Sequence, residues 1–245
     1  MKILTLDIET SPNLAHVWGL WNENIPLARL LESGEVICFA AKWHDQKKVL
    51  FYSVHHHGKE EMVRAAHELL SEADVVVHYN GDKFDLPHLN REFLELGLEP
   101  PAPYASVDLL KAVKRKFRFP SNKLDYVVQK LQLGAKVSTG GYELWLACMN
   151  GSDSAWTKMR KYNKHDVVVT EALYNRVLPW IPAHPSAGLY MDMSDVCPAC
   201  GSGSLRLEGR AYTSMGVFQR YQCFDCGKWS RGNKRLEGSN VRGLA

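Results

Sequence analysis

Polar and apolar residues alternate at the start of the chain. In "KILTLDIE", Leu4, Leu6 and Ile8 fall on one face and Ile3, Thr5, Asp7 and Glu9 on the other, which is the period of a β-strand. "AHVWGLW", "VICFAAKW" and "KVLFYSV" read as three further strands. "KEEMVRAAHELL" switches to helical period, with acidic residues in its first turn. "ADVVVHY" is short and wholly apolar, as a strand buried on both faces would be, and "FDLPHLNREFLELGL" returns to helix. These elements predict an α/β fold, a mixed sheet covered by helices.

Helical pattern dominates the next stretch, in "SVDLLKAVKRKF" and "NKLDYVVQKLQL". "GAKVSTGGYELW" reads as a loop with a short element, and "AWTKMRKYNKHDVVVTEALYNRVLPW" as a long amphipathic helix. The proline-rich "LPWIPAHPSAGLY" marks a linker, after which the composition shifts to Cys, Gly and Arg. A domain boundary is expected near Pro182 to Asp192, dividing residues 1–182 from a small domain at 192–232. The basic tail 233–245 is expected to lack fixed structure.

Composition narrows the class. The 245 residues suffice for one large core or a core plus a small appendage, and 45% are hydrophobic, as in ordinary globular proteins. A formal net charge of +3 implies no partner by itself. No apolar run is long enough to cross a bilayer, and Met1 leads directly into a strand without a signal peptide. A cytosolic, cytoplasmic protein without membrane association is the expectation. In that reducing compartment six cysteines argue against a disulfide framework. Cys38 and Cys148 stand in apolar settings and are expected in the core.

Candidate chemistry begins with Asp7 and Glu9. Two carboxylates at i and i+2 on a strand point to the same side. Buried together they would repel unless one protonates or a hard divalent cation such as Mg²⁺ or Mn²⁺ neutralises them. An exposed strand end with two solvated acids is the alternative. In "HYNGDKFDLPHL" a carboxylate would stand where a buried strand exits into a helix, a usual place for ligand sites. Asp85 and Asp82 compete for that role, and Asp82 has the option of capping the helix. In "RKYNKHDVVV", Tyr162 and Asp166 are four apart and share a helix face that Val169 and Leu173 continue into the core.

"DIET", "NGDKFD" and "YNKHD" resemble, in order and spacing, the three motifs of the DEDD (DnaQ-like) 3′-to-5′ exonucleases, which share the ribonuclease H-like fold. The resemblance covers roughly residues 1–180, and its second motif looks most like the proofreading domain of family B DNA polymerases. The histidine branch of the family needs His five positions before the last Asp, where this chain has Lys161. The tyrosine branch needs Tyr four positions before it, and Tyr162 is there. The resemblance therefore implies the tyrosine subclass, with Asp7, Glu9, Asp85 and Asp166 holding two Mg²⁺ or Mn²⁺ ions roughly 3.5–4 Å apart. It implies that Asp7 bridges both ions, that Glu9 and Asp166 complete the one holding the attacking water, and that Asp85 helps hold the other, through water. Tyr162 would orient the nucleophile. His165 points about 100° away from Asp166 around the helix and is a weak candidate.

Substrate contacts are expected from Thr10, Asn80 and Phe84, beside the motif acids, with Asn80 either bracing its turn or touching substrate. In "KAVKRKFRF", Lys114, Arg115 and Lys116, with Lys111 and Arg118, would follow phosphates while Phe117 and Phe119 stack on bases. A solvated helix end is the alternative. Asp108 is expected to cap a helix or to have a structural role, not a catalytic one, and the run His55, His56, His57, which could bind a metal, is expected to be solvent-exposed in a strand-to-helix loop.

The last cysteines form two knuckles, "CPAC" and "CFDCGKW". Cys197, Cys200, Cys223 and Cys226 can surround one structural Zn²⁺ tetrahedrally, with the alternating "SLRLEGRAYTSMGVFQRYQ" as the hairpin of a zinc ribbon. A segment that small lacks a sufficient core, so the metal is expected to hold it folded. Its arginines and lysines lie among aromatics, which suggests nucleic-acid binding. The expected activity is a metal-dependent 3′-to-5′ exonuclease acting on DNA 3′ ends, single-stranded by preference. An exoribonuclease or structure-selective endonuclease of the same superfamily is the alternative, and an inactive nucleic-acid-binding adaptor a further one.

Overall fold

The alternation of the opening segment becomes β1 (Ile3–Thr10), buried on both faces. The computed structural model describes residues 1–44, 46–134, 140–214 and 216–239. After β1, β2 (Leu14–Ala15) and β3 (Leu30–Glu32) pair with each other alone. β4 (Val36–Trp43) and β5 (Leu50–Ser53) follow, then α1 (Val54–His57), α2 (Lys59–Glu72), β6 (Val75–His78), α3 (Asp85–Glu95) and β7 (Ala105–Asp108). Four helices succeed them: α4 (Leu109–Lys116), α5 (Leu124–Lys130), α6 (Tyr142–Met149) and α7 (Asp153–Val177).

The main sheet has the order β5-β4-β1-β6-β7. β4 is antiparallel to both β5 and β1, whereas β6 and β7 run parallel to β1. The two faces of β1 meet different layers. Leu4, Leu6 and Ile8 pack with Met62, Val63 and Leu70 of α2 and with Leu86, Leu89 and Phe93 of α3. On the other face Ile37, Cys38 and Ala40 of β4 pack with Leu144 and Cys148 of α6 and with Trp156, Met159 and Val167 of α7. Burying each of these large side chains stabilises the fold by about 2 kcal/mol. Asp7 and Glu9 share the parity of the second face, and the parity of β1 thus aims both carboxylates at the α7 side.

Two segments before α7 depart in element type from the sequence expectation at their strands. Of "AHVWGLW" only Ala15 is strand, as the last residue of β2. Beyond that the Glu23 carboxylate accepts hydrogen bonds from the backbone N–H groups of Trp18 (3.0 Å) and Gly19 (2.8 Å), closing a loop in place of a ladder. "SVDLL" begins as strand: β7 extends the parallel register from Val75↔Ala105 to His78↔Asp108, and the helix starts only at Leu109, where Asp108 caps the Leu110 N–H at 2.9 Å. Residues 135–139, inside the expected "GAKVSTGGYELW" loop, lie outside the described residues.

The chain divides into two compact units, Lys2–Leu173 and Tyr174 onward. The division falls inside α7, ahead of the proline-rich segment. That segment is folded into the second unit: Tyr174 Oη and His184 Nε2 are 2.7 Å apart, and α8 (Ala187–Tyr190) begins where the Ala187 N–H donates to the Pro198 carbonyl at 2.8 Å. β8 (Leu205–Thr213), β9 (Gly216–Cys223) and β10 (Trp229–Glu237) then form an antiparallel sheet of order β10-β9-β8. The tail expected from residue 233 is therefore strand as far as Glu237, because Arg235 and Glu237 pair with Phe218 and Val217. Residues 240–245 lie outside the described residues. Among the described residues no helix is long and apolar enough to cross a membrane.

Candidate active site

β1 outruns its parallel neighbour. It pairs with β6 only at Ile3, Leu4 and Thr5, and β6 ends at His78. The chain then turns through Asn80 and Gly81, so the Ile8 N–H has no strand beside it. Asp85, the first residue of α3, fills that gap: its Oδ1 accepts the Ile8 N–H at 3.0 Å. A buried carboxylate thus stands in for the missing strand at the mouth of the site.

The turn that carries Asp85 is tightly built. Asn80 has φ of 70°, a left-handed conformation that Asn tolerates, and its N–H donates to Asp108 Oδ1 at 3.0 Å. The Gly81 N–H donates to Nδ1 of fully buried His78 at 2.9 Å, and a Cβ at Gly81 would lie 2.4 Å from that imidazole. His78, Asp82 and Asp108 offer ligand atoms within 4.8 Å of one another. They are a bracing network and no metal site, because His78 Nδ1 is occupied by Gly81, leaving the ring proton on Nε2, and Lys111 Nζ donates to Asp82 at 2.5 Å. Asp82 therefore does not cap α3.

On the α7 side, ligand oxygens of Asp7, Glu9 and Asp166 lie within 4.8 Å of one another. Asp85 does not belong to that set of three, but its charge acts on both Asp7 and Glu9. Buried Asn163 holds Asp7: its Nδ2 donates to the Asp7 Oδ2 at 2.7 Å and to the Asp7 backbone carbonyl at 3.2 Å. The Trp145 indole donates to Glu9, and the Tyr162 hydroxyl makes a hydrogen bond with Asp166. Val169 and Leu173 carry the Tyr162–Asp166 face into the core, as the helical spacing requires.

Burial, then the charges of Asp85, Glu9 and Asp166, push the Asp7 carboxyl well above the usual carboxylate range, with Asn163 opposing. Burial and the charges of Asp166 and Asp85 raise Glu9 to about 8, and burial raises Asp85 to about 7 against the Ile8 hydrogen bond. Burial, then the neighbouring carboxylates, drive the Tyr162 phenol far up, so it serves as a hydrogen-bond donor and not as a base. Acids gathered this closely in a dry site ionise together only beside a cation. An all-oxygen donor set of this kind fits a hard divalent ion.

The expected substrate residues divide. Thr10 ends β1 at a register shift directly after Glu9. Phe84, 39% exposed, precedes Asp85 with its ring against His88 at 4.7 Å. Lys114, Arg115 and Lys116 occupy the last turn of α4, where cations complement the helix dipole. It is the opposite end of α4, roughly 12 Å away, that touches the Asp85 turn through Asp108. His55, His56 and His57 form α1 and not a loop; His55 stacks on Trp156 at 5.4 Å and meets Asp153 at 2.7 Å, while His56 meets Ser53 Oγ at 2.7 Å. Cys38 and Cys148 are core residues. Asn163 and Trp145 were not anticipated. The three-residue step from Asn163 to Asp166 was the available signal for one, while Trp145 reaches Glu9 from a helix with no pattern to mark it.

In the second unit Cys197, Cys200, Cys223 and Cys226 form a four-sulfur set with all Sγ atoms within 4.8 Å. Cys197 and Cys226 are 3.6 Å apart and Cys200 and Cys223 3.7 Å. A tetrahedron with bonds of about 2.3 Å has edges of about 3.8 Å, so the set fits a four-coordinate metal and the ribbon fold around it. Burial raises the Cys200 thiol to about 11. On Cys223 burial acts the same way but is more than offset by the N–H groups of Cys226 and Asp225.

Residues 30–178, more than half of the chain, match the profile of the RNase_H superfamily. The chain belongs to the RNase H superfamily. The match begins after β1, so the placement of Asp7 and Glu9 comes from the geometry described above. Among solved structures, this member of the RNase H superfamily is similar to a family B DNA polymerase from the hyperthermophilic archaeon Pyrobaculum calidifontis, with a TM-score of 0.55 and 20% identity over 73% of this chain. It spans 24% of that polymerase, and the likeness is one of fold. No curated protein sequence matches the chain.

Proposed function

We propose that this protein is a divalent-metal-dependent 3′-to-5′ exonuclease of the tyrosine subclass. It releases nucleoside 5′-monophosphates from DNA 3′ ends, single strands by preference. The observation that carries the reading is the convergence of Asp7, Glu9 and Asp166 from the two ends of the first unit, with Asp85 beside them and Tyr162 on Asp166. Asp7, Glu9, Asp85 and Asp166 would hold two Mg²⁺ or Mn²⁺ ions. Such ions, when bound, lower the pKa of water and offset charge on the departing oxygen.

The side chains have their own tasks. Asn163 fixes the Asp7 rotamer, and Trp145 does the same for Glu9, so both carboxylates are aimed before any ion or substrate arrives. Tyr162 keeps its proton and would orient, by hydrogen bonding, the water whose oxygen attacks the phosphorus. Thr10 and Phe84 flank the acids and would meet the terminal nucleotide. The four cysteines would hold one structural Zn²⁺. The likeness to a family B DNA polymerase supports DNA over RNA as substrate, and the four retained acids support an enzyme over an inactive adaptor.

Single-stranded DNA carrying a 5′ label, incubated with Mg²⁺ or Mn²⁺, should give a ladder shortening by one nucleotide at a time. A few internal cuts would instead favour the endonuclease alternative, and cleavage of RNA alone the exoribonuclease. Asp7→Ala should lower the rate by roughly a thousandfold or more. Undiminished cleavage by that variant would overturn the site assignment.

A further inference from the structure

The ribbon sheet has two unlike faces. Leu205, Tyr221 and Ser230 share one of them, where they line a cavity of ≈ 660 Å³ together with Ser186, Val196 and Pro198. The other face follows from the register pairs Arg206↔Gln222, Trp229↔Gln222, Arg231↔Arg220 and Arg235↔Phe218. Paired residues point the same way, so Arg206, Arg220, Arg231 and Arg235 all stand on this second face with Trp229 and Phe218. Three of the guanidinium groups lie over rings: Arg231 over Phe218 at 4.1 Å, Arg220 over Trp229 at 5.0 Å and Arg206 over Phe224 at 5.2 Å. Arg206 also meets the Glu208 carboxylate. Among the described residues Arg220, Arg231 and Arg235 meet no carboxylate, and Trp229 and Phe224 are 49% and 66% exposed.

We propose that this arginine–aromatic face is a binding site for single-stranded DNA, separate from the acidic cluster. A plane of four arginines, only one of which, Arg206, meets an acid among the described residues, calls for a polyanion. Arginine forks suit phosphate oxygens, and stacking on a ring holds each fork flat and ready at little entropic cost. Exposed indole and phenyl rings add stacking platforms that only unpaired bases can reach. The choice of DNA rests on the exonuclease reading above; the face itself does not depend on it. Such a site would retain a strand between successive cleavages.

Fluorescence anisotropy of the full chain with a 5′-fluorescein dT₂₀ strand, without added divalent cation and between 50 and 200 mM salt, tests this. Without a cation the acidic cluster repels phosphate and no cleavage occurs, so the reading isolates the basic face. Replacing both Arg220 and Arg231 by Ala should weaken binding roughly tenfold and lower the slope of log K against log salt by about 1.4. Trp229→Ala should weaken binding and leave the slope unchanged. Arg220→Lys with Arg231→Lys keeps the charge and should restore the slope, which separates lost contacts from a misfolded ribbon. Wild-type affinity and slope in the double Ala variant, or duplex DNA bound as tightly as the single strand, would overturn the proposal. Unchanged binding with intact nuclease activity refutes this face alone, whereas single-strand binding without cleavage under Mg²⁺ refutes the nuclease reading alone.

Discussion

Asp7, Glu9, Asp85 and Asp166 are held by a unit that has its own core, while Cys197, Cys200, Cys223 and Cys226 close a ribbon that buries little else. Around the acids, Leu4, Leu6, Phe39, Leu70, Leu89 and Met159 are fully or almost fully buried, and two helical layers cover the sheet. Among the described residues of 192–237 the buried hydrophobic positions are Val196, Cys197, Ala199, Phe218 and Cys223, and two of those belong to the four-sulfur set. Metal therefore has opposite meanings in the two places. At the acids it would relieve a repulsion that an already folded unit sustains; at the cysteines it would supply the cohesion that the residues alone do not.

The sharpest way to break this contrast is to deny the ribbon the zinc that its four cysteines would hold. Structural zinc contributes on the order of 10–16 kcal/mol of apparent binding free energy, as much as a domain's whole stability. Cys223→Ser, or a strong chelator, should abolish amide-exchange protection across β8, β9 and β10 while leaving β1 and β4 protected. Ribbon amides that stay protected without metal would show that the hairpins hold themselves, and the contrast would fail.

Proton linkage gives the next largest effect. Glu9 and Asp85 reach about 8 and about 7 in the fold, against about 4 when unfolded. Each keeps its proton in the fold after the unfolded chain has lost it. The stability this confers is complete below about pH 4 and is lost as pH rises through 7 and 8. Without divalent cation the first unit should thus melt progressively lower between pH 5 and pH 8.5. With Mn²⁺ present the trend should weaken or reverse, because the ion binds the ionised acids. Melting curves with and without Mn²⁺ across that range measure it. A flat metal-free profile would mean that the acids are not packed as described.

The same reasoning explains what the chain's pattern disclosed and what it hid. Strand alternation put Asp7 and Glu9 on one face, and the four-residue step joined Tyr162 to Asp166, because both periods are local geometry. The two C-x₂-C knuckles were legible for the same reason. What escaped depends on partners distant in sequence. "SVDLL" looks helical until β6 offers it a parallel edge, and "AHVWGLW" looks like a strand although its ladder ends at Ala15, with one further backbone bond from the His16 N–H to the Arg29 carbonyl. The basic stretch at 233–237 reads as a loose tail until β9 recruits it. Asn163 and Trp145 show no function until β1 brings Asp7 and Glu9 beside them.

A smaller effect tests whether the acids are costly to the fold. Asp7→Asn keeps the volume and an acceptor for Asn163 but removes a carboxyl that the fold resists ionising beside Glu9, Asp85 and Asp166. Without metal at pH 8 this variant should be more stable than the native chain by about 1 kcal/mol, or some 2–4 °C in melting temperature, while losing activity. A drop in melting temperature would mean that the Asp7 carboxylate is stabilising where it stands, as the cysteines are in the ribbon.

The finest distinction lies at Asp85, which has two duties. Its Oδ1 closes the Ile8 N–H where β6 departs, and its charge belongs to the acidic set. Asn at 85 can present a carbonyl oxygen to the same N–H, whereas Ala cannot. Asp85→Ala should therefore cost about 1–3 kcal/mol, the penalty for leaving a buried donor unpaired, along with activity. Asp85→Asn should lose activity with a melting temperature within a few degrees of the native value. Denaturant melts beside a cleavage assay separate the two. If both variants melt alike, the strand-substituting role is absent and Asp85 stands in the fold only as one more acid in the cluster.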